Sequence, residues 1–292
     1  MWTLPSQTSV PRKQSLLRRI LTFFIVLYLG WCLTLYFLQD RMLFMAASAG
    51  PGVHESRIPS GTQRIWITLA DGSRVEAWFY SSATASESSP ASTVIYAHGN
   101  AELIDQQESI VKNYTSRGIN ILLAEYPGYG RSTGSPSQAT ITESLDKFRA
   151  HLLTLKTVDP ARLIYHGRSV GTGAVAQLAR IHPPIAMVLE SPFLSVSSFC
   201  WHYGVPPFIC RNPFRTDEVL KSLSAPITIL HGTSDFTVPI EHGRALVSLA
   251  PHATLIELDA THNDDMLNSD PRPWKAIDSM LLSVGATSPL KR

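Results

Sequence analysis

Short apolar segments alternate with longer, more polar segments through most of this chain. The apolar segments are residues 93–97, 119–124, 163–165, 186–189, 227–230 and 254–258. Between them, residues 138–157 carry apolar side chains at every third or fourth position, the period of a helix with one buried face. Residues 240–249 and 274–284 show the same period less clearly. Strands that alternate with helices build βαβ units, so we predict an α/β fold with a mostly parallel, buried sheet.

A hairpin precedes this alternation. Residues 65–69 and 75–80 are strand-like, and the Asp71-Gly72 pair between them favours a tight turn. Residues 81–92 are rich in Ser and Ala and are predicted to form an exposed loop. The core of the domain therefore begins with this hairpin.

The most apolar segment of the chain lies near its N-terminus. Residues 20–38 contain no charged side chain, and that length is enough for a helix to cross a bilayer. The basic residues before it are Arg12, Lys13, Arg18 and Arg19. Asp40 and Arg41 follow it. Because basic residues are in excess on cytoplasmic flanks, we predict a cytoplasmic N-terminus and a large domain on the exoplasmic, periplasmic or lumenal side.

Three other interpretations of residues 20–38 compete with an anchor. Residues 47–49 have the A-x-A pattern of a signal-peptide cleavage site, but the apolar run is long for a signal peptide and charges separate it from that site. A lipoprotein signal at Cys32 would need a small residue where Trp31 stands. A buried helix of a soluble domain is the third alternative, and the hydrophobicity of this run on all sides, at this length, argues against it. We favour an uncleaved anchor.

The rest of the composition is that of an ordinary globular protein. With 292 residues the chain can bury a large core, and its 25 basic and 23 acidic side chains give a net charge of +2. The globular part has no basic block, so nucleic acid is not an expected partner. We divide the chain into a basic segment (1–19), an anchor (20–38), a linker (39–63) and one domain (64–286).

The chain has three cysteines, and Cys32 lies in the apolar run. Cys200 and Cys210 could form a disulfide if the domain is exported, or they could remain two buried thiols, and the sequence favours neither. No cysteine has companions at the spacing of a zinc site, so we predict no metal and no cofactor.

One pentapeptide has the pattern G-x-S-x-G. It runs from Gly167 to Gly171 around Ser169, directly after the segment 163–165, and the helical segment 172–182 follows it. A serine on such a strand-to-helix turn is exposed as a nucleophile, and glycines flank it because a Cβ would collide with neighbouring backbone. The pattern also occurs by chance in turns, so the assignment depends on partners for the serine.

A serine hydroxyl needs a base, and the base needs an acid that orients it. Asp235 comes just after the segment 227–230, and His262 comes just after the segment 254–258. Catalytic groups of open α/β sheets gather at the carboxyl ends of the strands. We therefore expect Ser169, Asp235 and His262 to meet in one crevice.

Other residues of the same types are weaker candidates. The competing histidines are His98, His166, His231 and His242. The competing acids are Glu190, Asp259, Asp264 and Asp265. Only His262 follows the last strand, and Asp264 and Asp265 are close enough to shape its loop. Ser132 also lies in a glycine-rich turn, but its G-Y-G-R-S segment lacks the second flanking glycine.

The carbonyl oxygen of an attacked ester gains negative charge, which fixed N–H donors must stabilise. We expect one donor to be the backbone N–H of Val170 and the other to lie in the loop after the 93–97 strand. Asn100 is the favoured second donor, Ala101 is the alternative, and Gly99 allows the tight turn.

Residues 192–225 interrupt the alternation of strands and helices. Their aromatic residues include Phe193, Phe199, Trp201, Tyr203, Phe208 and Phe214. We interpret the segment as a cap-like insertion over the edge of the sheet where Ser169 lies. Ordinary packing of aromatic side chains in a loop-rich segment is the alternative.

Five motifs occur in a fixed order: H-G-N-A, E-Y-P-G-Y-G-R-S, G-R-S-V-G, H-G-T-S-D-F-T-V-P and T-H-N-D. Together they resemble the α/β-hydrolase superfamily, and in particular the small α/β-hydrolase domain-containing proteins, several of which carry an N-terminal membrane anchor. The resemblance covers about residues 39–282.

This resemblance implies an α/β-hydrolase fold, with helices on both faces of the sheet, in which Ser169 is the nucleophile, Asp235 the acid and His262 the base. Relatives include lipid esterases and protein depalmitoylases. The lipid-anchored depalmitoylases have a cysteine-rich N-terminus where this chain has an apolar run, which weakens a transfer of their substrate. We expect a membrane-anchored hydrolase of a small-molecule or lipid acyl ester or thioester; a peptidase or a catalytically silent binding module is the alternative.

Overall fold

This computed structural model describes residues 12–287, with side chains from Leu16 onward. The chain divides into two compact units, Met1–Gln39 and Asp40–Arg292. Most of the predicted basic segment, residues 1–19, lies outside the described side chains.

The described part of the first unit is helical, and its helix, α1, spans Arg12–Leu43. Within the described residues, one helical stretch, Leu16–Ala49, is long and apolar enough to cross a membrane. Most of its large side chains are exposed, with Phe23 at 64% and Phe37 at 66%, whereas Leu35 and Phe44 are buried. A signal sequence near an N-terminus passes the same test of length and composition, so this finding gives the capacity to span a bilayer and not the orientation.

The second unit is built on an eight-stranded sheet. Its strands are β1 (Gln63–Thr68), β2 (Arg74–Tyr80), β3 (Ala91–Ala97), β4 (Asn120–Ala124), β5 (Val158–Arg168), β6 (Ala186–Glu190), β7 (Ile227–Gly232) and β8 (Ala253–Leu258). They lie in the order β1-β2-β4-β3-β5-β6-β7-β8. Strand β2 is antiparallel to β1 and β4, and the other neighbouring pairs are parallel. The prediction of a mostly parallel sheet is confirmed.

Helices cover both faces of this sheet. They are α2 (Ala46–Ala49), α3 (Glu108–Thr115), α4 (Gln138–Leu152), α5 (Val170–Ile181), α6 (Thr216–Ser222), α7 (Glu241–Leu249) and α8 (Arg272–Ser283). Side chains of the central strands alternate between two hydrophobic clusters: Ile95 packs in the cluster of α4 and α5, whereas Val94 and Tyr96 pack in that of α3 and α8. Burial on both faces explains why these strands are continuously apolar.

Two elements differ in length from their predicted bounds. Helix α4 begins at Gln138 as expected, because the Ser137 hydroxyl accepts from the backbone N–H of Thr140 at 3.1 Å, but it ends at Leu152. Strand β5 is longer than its apolar core, beginning at Val158. It includes Pro160, which lies before the apolar segment 163–165.

The connection between β6 and β7 contains two 3-10 helices, Val196–Tyr203 and Pro207–Ile209, followed by α6. It packs on α5: a Cβ added at Gly173 would lie 2.8 Å from both Phe193 and Phe214. This connection therefore lies against α5, the helix that begins immediately after Ser169.

Candidate active site

Ser169 occupies a strained turn between β5 and α5. Its φ and ψ are 50° and −117°, a conformation that L-residues rarely adopt and that costs about 1–3 kcal/mol. A Cβ at Gly167 would overlap the backbone of Gly171, and a Cβ at Gly171 would overlap the carbonyl oxygen of Ala97. Both flanking glycines of the G-x-S-x-G pattern are therefore required by close backbone approach.

Asp235, His262 and Ser169 form one continuous hydrogen-bonded chain. His262 Nδ1 lies 2.7 Å from Asp235 Oδ2, and His262 Nε2 lies 3.0 Å from Ser169 Oγ. The Asp235 side chain is fully buried and that of His262 is 14% exposed. Since the carboxylate can only accept, the Nδ1–H donates to it and leaves Nε2 to accept from the serine hydroxyl. The structure thus brings together the three side chains that were expected to meet in one crevice.

Asp235 is held in place by the backbone of its own loop. Its Oδ1 accepts from the N–H groups of Thr237 at 3.0 Å and Val238 at 2.8 Å. Burial alone would raise the pKa of this carboxyl, but the hydrogen bonds from His262 and Val238 outweigh burial and lower it. The acid therefore stays ionised beside the imidazole.

The loop after β8, which contains His262, is stabilised by Asp264, one of the two acids that were expected to shape it. Asp264 Oδ2 accepts from the backbone N–H of Thr261 at 2.6 Å and from its hydroxyl at 2.9 Å. Asp265 accepts from the side chain of Asn268 at 2.8 Å. Neither acid is bonded to His262 in the described structure.

The four competing histidines have other partners. His98 and His166 are buried against Glu125 at 2.6 Å and Glu190 at 2.8 Å, respectively. His231 Nε2 donates to the carbonyl of Val238 at 2.8 Å. His242, the fourth, accepts from the backbone N–H of Leu194 and stacks on Phe199.

The loop that follows β3 lies beside the start of α5, because Gly171 approaches the carbonyl oxygens of Ala97 and His98 too closely to carry a Cβ. Val170 is the first residue of α5, so its N–H has no acceptor within the helix. The two predicted donor regions, around Val170 and around Asn100, are therefore neighbours across the turn of Ser169.

The Asn100 side chain fixes this loop in a way that the sequence did not indicate. Its Nδ2 donates to the carbonyl of Leu43 at 2.7 Å, while its Oδ1 accepts from the N–H of Met45 and the hydroxyl of Tyr129, both at 2.8 Å. Ala101, the next residue, has a positive φ of 57°. The backbone at Asn100 is thus held from both sides.

Two carboxylates that support the loop after β3, those of Glu125 and Glu102, were not predicted from the sequence. Glu125 Oε1 bonds His98 Nε2 and the backbone N–H of Tyr126, and Glu102 Oε2 accepts from the N–H of Gly99 at 3.1 Å. The sequence does contain one indication that Glu125 has a structural role. It directly follows an apolar strand, and a buried carboxylate requires partners.

Arg168, the residue before the serine, joins two loops of the site. Its guanidinium donates to Glu102 Oε1 and, at 3.2 Å, to the backbone carbonyl of His262. Its side chain is only 22% exposed. Within residues 16–287, no group of three or more His, Cys, Asp or Glu side chains is arranged to hold a metal ion. Cys200 and Cys210 are free thiols in this structure.

Known proteins resemble this chain over most of its length. The uncharacterized protein Rv2307c of Mycobacterium tuberculosis (strain ATCC 25618 / H37Rv) is 30% identical over 234 residues, which cover 78% of this chain and 82% of that protein. A family model described as serine aminopeptidase, S33, matches residues 88–211. Mouse α/β-hydrolase domain-containing protein 17C is 30% identical over 175 residues, covering 59% of this chain and 54% of that protein.

The chain belongs to the α/β-hydrolase superfamily. The resemblance stated from the five motifs is thereby confirmed. Esterase 2 of Thermogutta terrifontis shares the fold of this α/β-hydrolase, with a TM-score of 0.65 at 18% identity over 81% of this chain and 99% of that chain. The family supports hydrolase activity in general.

Proposed function

We propose that this α/β-hydrolase is a serine hydrolase that cleaves a carboxylic ester or thioester through an acyl-enzyme. The observation that carries the proposal is the hydrogen-bonded chain from Asp235 through His262 to Ser169, with links of 2.7 and 3.0 Å. Its end is a serine on a strained turn, which presents the hydroxyl to the substrate.

In the first step, Ser169 Oγ attacks the carbonyl carbon of the substrate while His262 Nε2 takes the hydroxyl proton. Asp235 stabilises the imidazolium that results. The backbone N–H groups of Val170 and Asn100 donate to the oxygen that becomes negatively charged. The tetrahedral intermediate collapses, His262 returns the proton to the leaving alcohol or thiol, and the acyl group remains on Ser169.

Water completes the reaction. His262 Nε2 takes a proton from a water molecule whose oxygen attacks the acyl-enzyme carbonyl, and the second tetrahedral intermediate expels Ser169. The proton on His262 returns to the serine oxygen and the carboxylic acid leaves. Neither step uses a cofactor.

The proposed substrate is an acyl ester delivered from a membrane. The apolar stretch Leu16–Ala49 supports anchoring, with the N-terminus in the cytoplasm and the domain on the far side by the distribution of basic residues. A solved form of Thermogutta terrifontis esterase 2 has butyrate bound, which supports an acyl group as the part of the substrate to vary first. Rates on p-nitrophenyl esters should rise with chain length, and a sharp preference for acetate over octanoate would contradict the proposal.

The central test is labelling with a fluorophosphonate, which reacts with activated serines. The wild-type protein should be labelled and the Ser169→Ala variant should not. If wild type remains unlabelled under conditions in which it is folded, the domain is a binding module and the proposed enzyme activity is wrong.

A peptidase is the second candidate, because the matching family model is described as a serine aminopeptidase. Acyl-enzyme chemistry on the same residues would serve an amide. The two candidates differ in the leaving group, so kcat/KM on a matched ester and anilide of one acyl group separates them. Faster turnover of the anilide would favour the peptidase.

A further inference from the structure

The connection between β6 and β7 presents three large aromatic side chains to solvent. Trp201 is 67% exposed, Tyr203 is 50% exposed and Phe208 is 87% exposed. We call these three residues the aromatic surface. Single exposed apolar residues are common on soluble proteins, but three aromatics within one short segment indicate a surface that meets a partner.

The connection between β6 and β7 is also bonded to Asp40, which lies two residues after the predicted anchor. Asp40 Oδ1 accepts from Asn212 Nδ2 at 2.7 Å, and Asp40 Oδ2 pairs with Arg211 Nη1 at 3.0 Å. Asp40 is the second residue after the apolar run 20–38. Two residues of chain span at most about 7 Å, so the end of this segment lies close to the place where the chain leaves the bilayer.

We propose that the aromatic surface docks on the lipid bilayer, with its rings at the boundary between headgroups and acyl chains. The proposal rests on the membrane anchoring proposed above. Tryptophan and tyrosine favour this boundary because each combines an apolar ring with a polar group, and phenylalanine contributes apolar area. A bilayer is the favoured partner because the bonds of Asp40 tie this segment to the membrane end of the domain.

The segment that carries the aromatic surface contacts the loop that holds Asp235. Phe199, on the same 3-10 helix as Trp201, stacks on His242 with ring centres 4.9 Å apart. The backbone N–H of His242 donates to the carbonyl of Pro239, in the loop that begins with Asp235. In that loop Phe236 is 92% exposed. These contacts connect the 3-10 helix that carries Trp201 with the loop that contains Asp235.

The test uses the full chain in phosphatidylcholine vesicles with bromine on the acyl chains, which quenches nearby tryptophan fluorescence. Trp201→Phe reports on the aromatic surface, and Trp31→Phe, within the apolar run, reports on the anchor. We expect each substitution to remove part of the quenched emission, because each tryptophan contacts lipid. Trp2, Trp66, Trp78 and Trp274 are common to both variants and cancel in the comparison.

If Trp31→Phe reduces the quenched emission and Trp201→Phe does not, the anchor stands and the docking surface is wrong. If neither does, both proposals are wrong. A second variant, Trp201→Ser with Phe208→Ser, should leave the hydrolysis of a soluble short-chain ester unchanged. It should slow a long-chain ester in vesicles by about tenfold, the factor expected from losing a partly buried aromatic side chain. Equal rates on the vesicle ester would overturn the proposal.

Discussion

The backbone N–H of Ser169 donates to the carbonyl oxygen of Glu190 at 2.8 Å, which ties the strained turn to the end of β6. The side chain of Glu190 accepts from His166 Nε2 at 2.8 Å, and His166 Nδ1 meets the hydroxyl of Tyr114 at the same distance. Surrounding structure therefore offsets the cost of the serine's backbone conformation. That cost can be measured separately from activity.

Replacing Ser169 with glycine should abolish hydrolysis and stabilise the fold relative to Ser169→Ala by about 1 kcal/mol, because glycine adopts the observed φ and ψ without strain. Both variants lose the hydroxyl of Ser169, so they differ in the Cβ, which restricts the backbone. Urea unfolding of the two variants measures the difference. An alanine variant at least as stable as the glycine variant would show that the turn stores no strain.

Asp235→Asn should lower kcat by about 10⁴-fold, because the amide NH₂ would donate to His262 Nδ1 and place the ring proton on the wrong nitrogen. Asp264→Asn is the matched control, since it alters an acid in the same site that bonds Thr261 and not the imidazole. The control should retain most of the activity. Similar losses in both variants would argue against Asp235 as the orienting acid.

Stability should fall as pH rises above 6.5, through His98. Burial opposes its charge, but the carboxylate of Glu125 and a hydrogen bond to Gly99 raise the pKa of His98 above its ordinary value of 6.5. A raised pKa in the folded state gives stability that is present below pH 6.5 and is lost as pH rises through the folded pKa.

Glu125→Gln removes the charge that raises this pKa, so the variant should lack this decrease in the free energy of unfolding. Urea titrations between acidic and alkaline pH compare the two proteins. Burial lowers the pKa values of His231 and His242, so their contributions are lost as pH falls and affect the opposite range. Parallel pH profiles for wild type and variant would contradict the assignment.

Asn100→Ala should lower kcat by up to about 10²-fold, because the loop that carries a proposed oxyanion donor would lose its side-chain bonds to Leu43, Met45 and Tyr129. Tyr129→Phe removes one of these bonds and should cost about 1 kcal/mol of stability with little effect on kcat. Kinetics on a soluble ester and urea unfolding measure both. A fully active Asn100→Ala protein would exclude the loop from catalysis.

Local patterns were sufficient to predict the sheet and the three side chains at its edge. Ser169, Asp235 and His262 each follow a short apolar run, and strand ends in a parallel sheet converge. The required glycines at 167 and 171 are also local, because they reflect the conformation of one turn.

The support for the loop after β3 could not be predicted in this way. Glu125 lies 27 residues from His98, and Asn100 reaches Leu43 across 57 residues. Such contacts have no period and no spacing rule, because they depend on how separate loops pack. The additional length of β5 was missed for a related reason: its first residues include Asp159, Pro160 and Arg162, and the strand is extended by the pairing of Val158 with Ala91 of β3.

The contacts of Arg168 limit how two loops of the candidate site can change during evolution. Its one guanidinium binds Glu102 in the loop after β3 and the carbonyl of His262 in the loop after β8. The two loops therefore cannot change length independently, since an insertion in either would pull the arginine away from the other. Variation in substrate preference should accumulate in the connection between β6 and β7, which can vary while the spacing between His262 and the loop after β3 is kept.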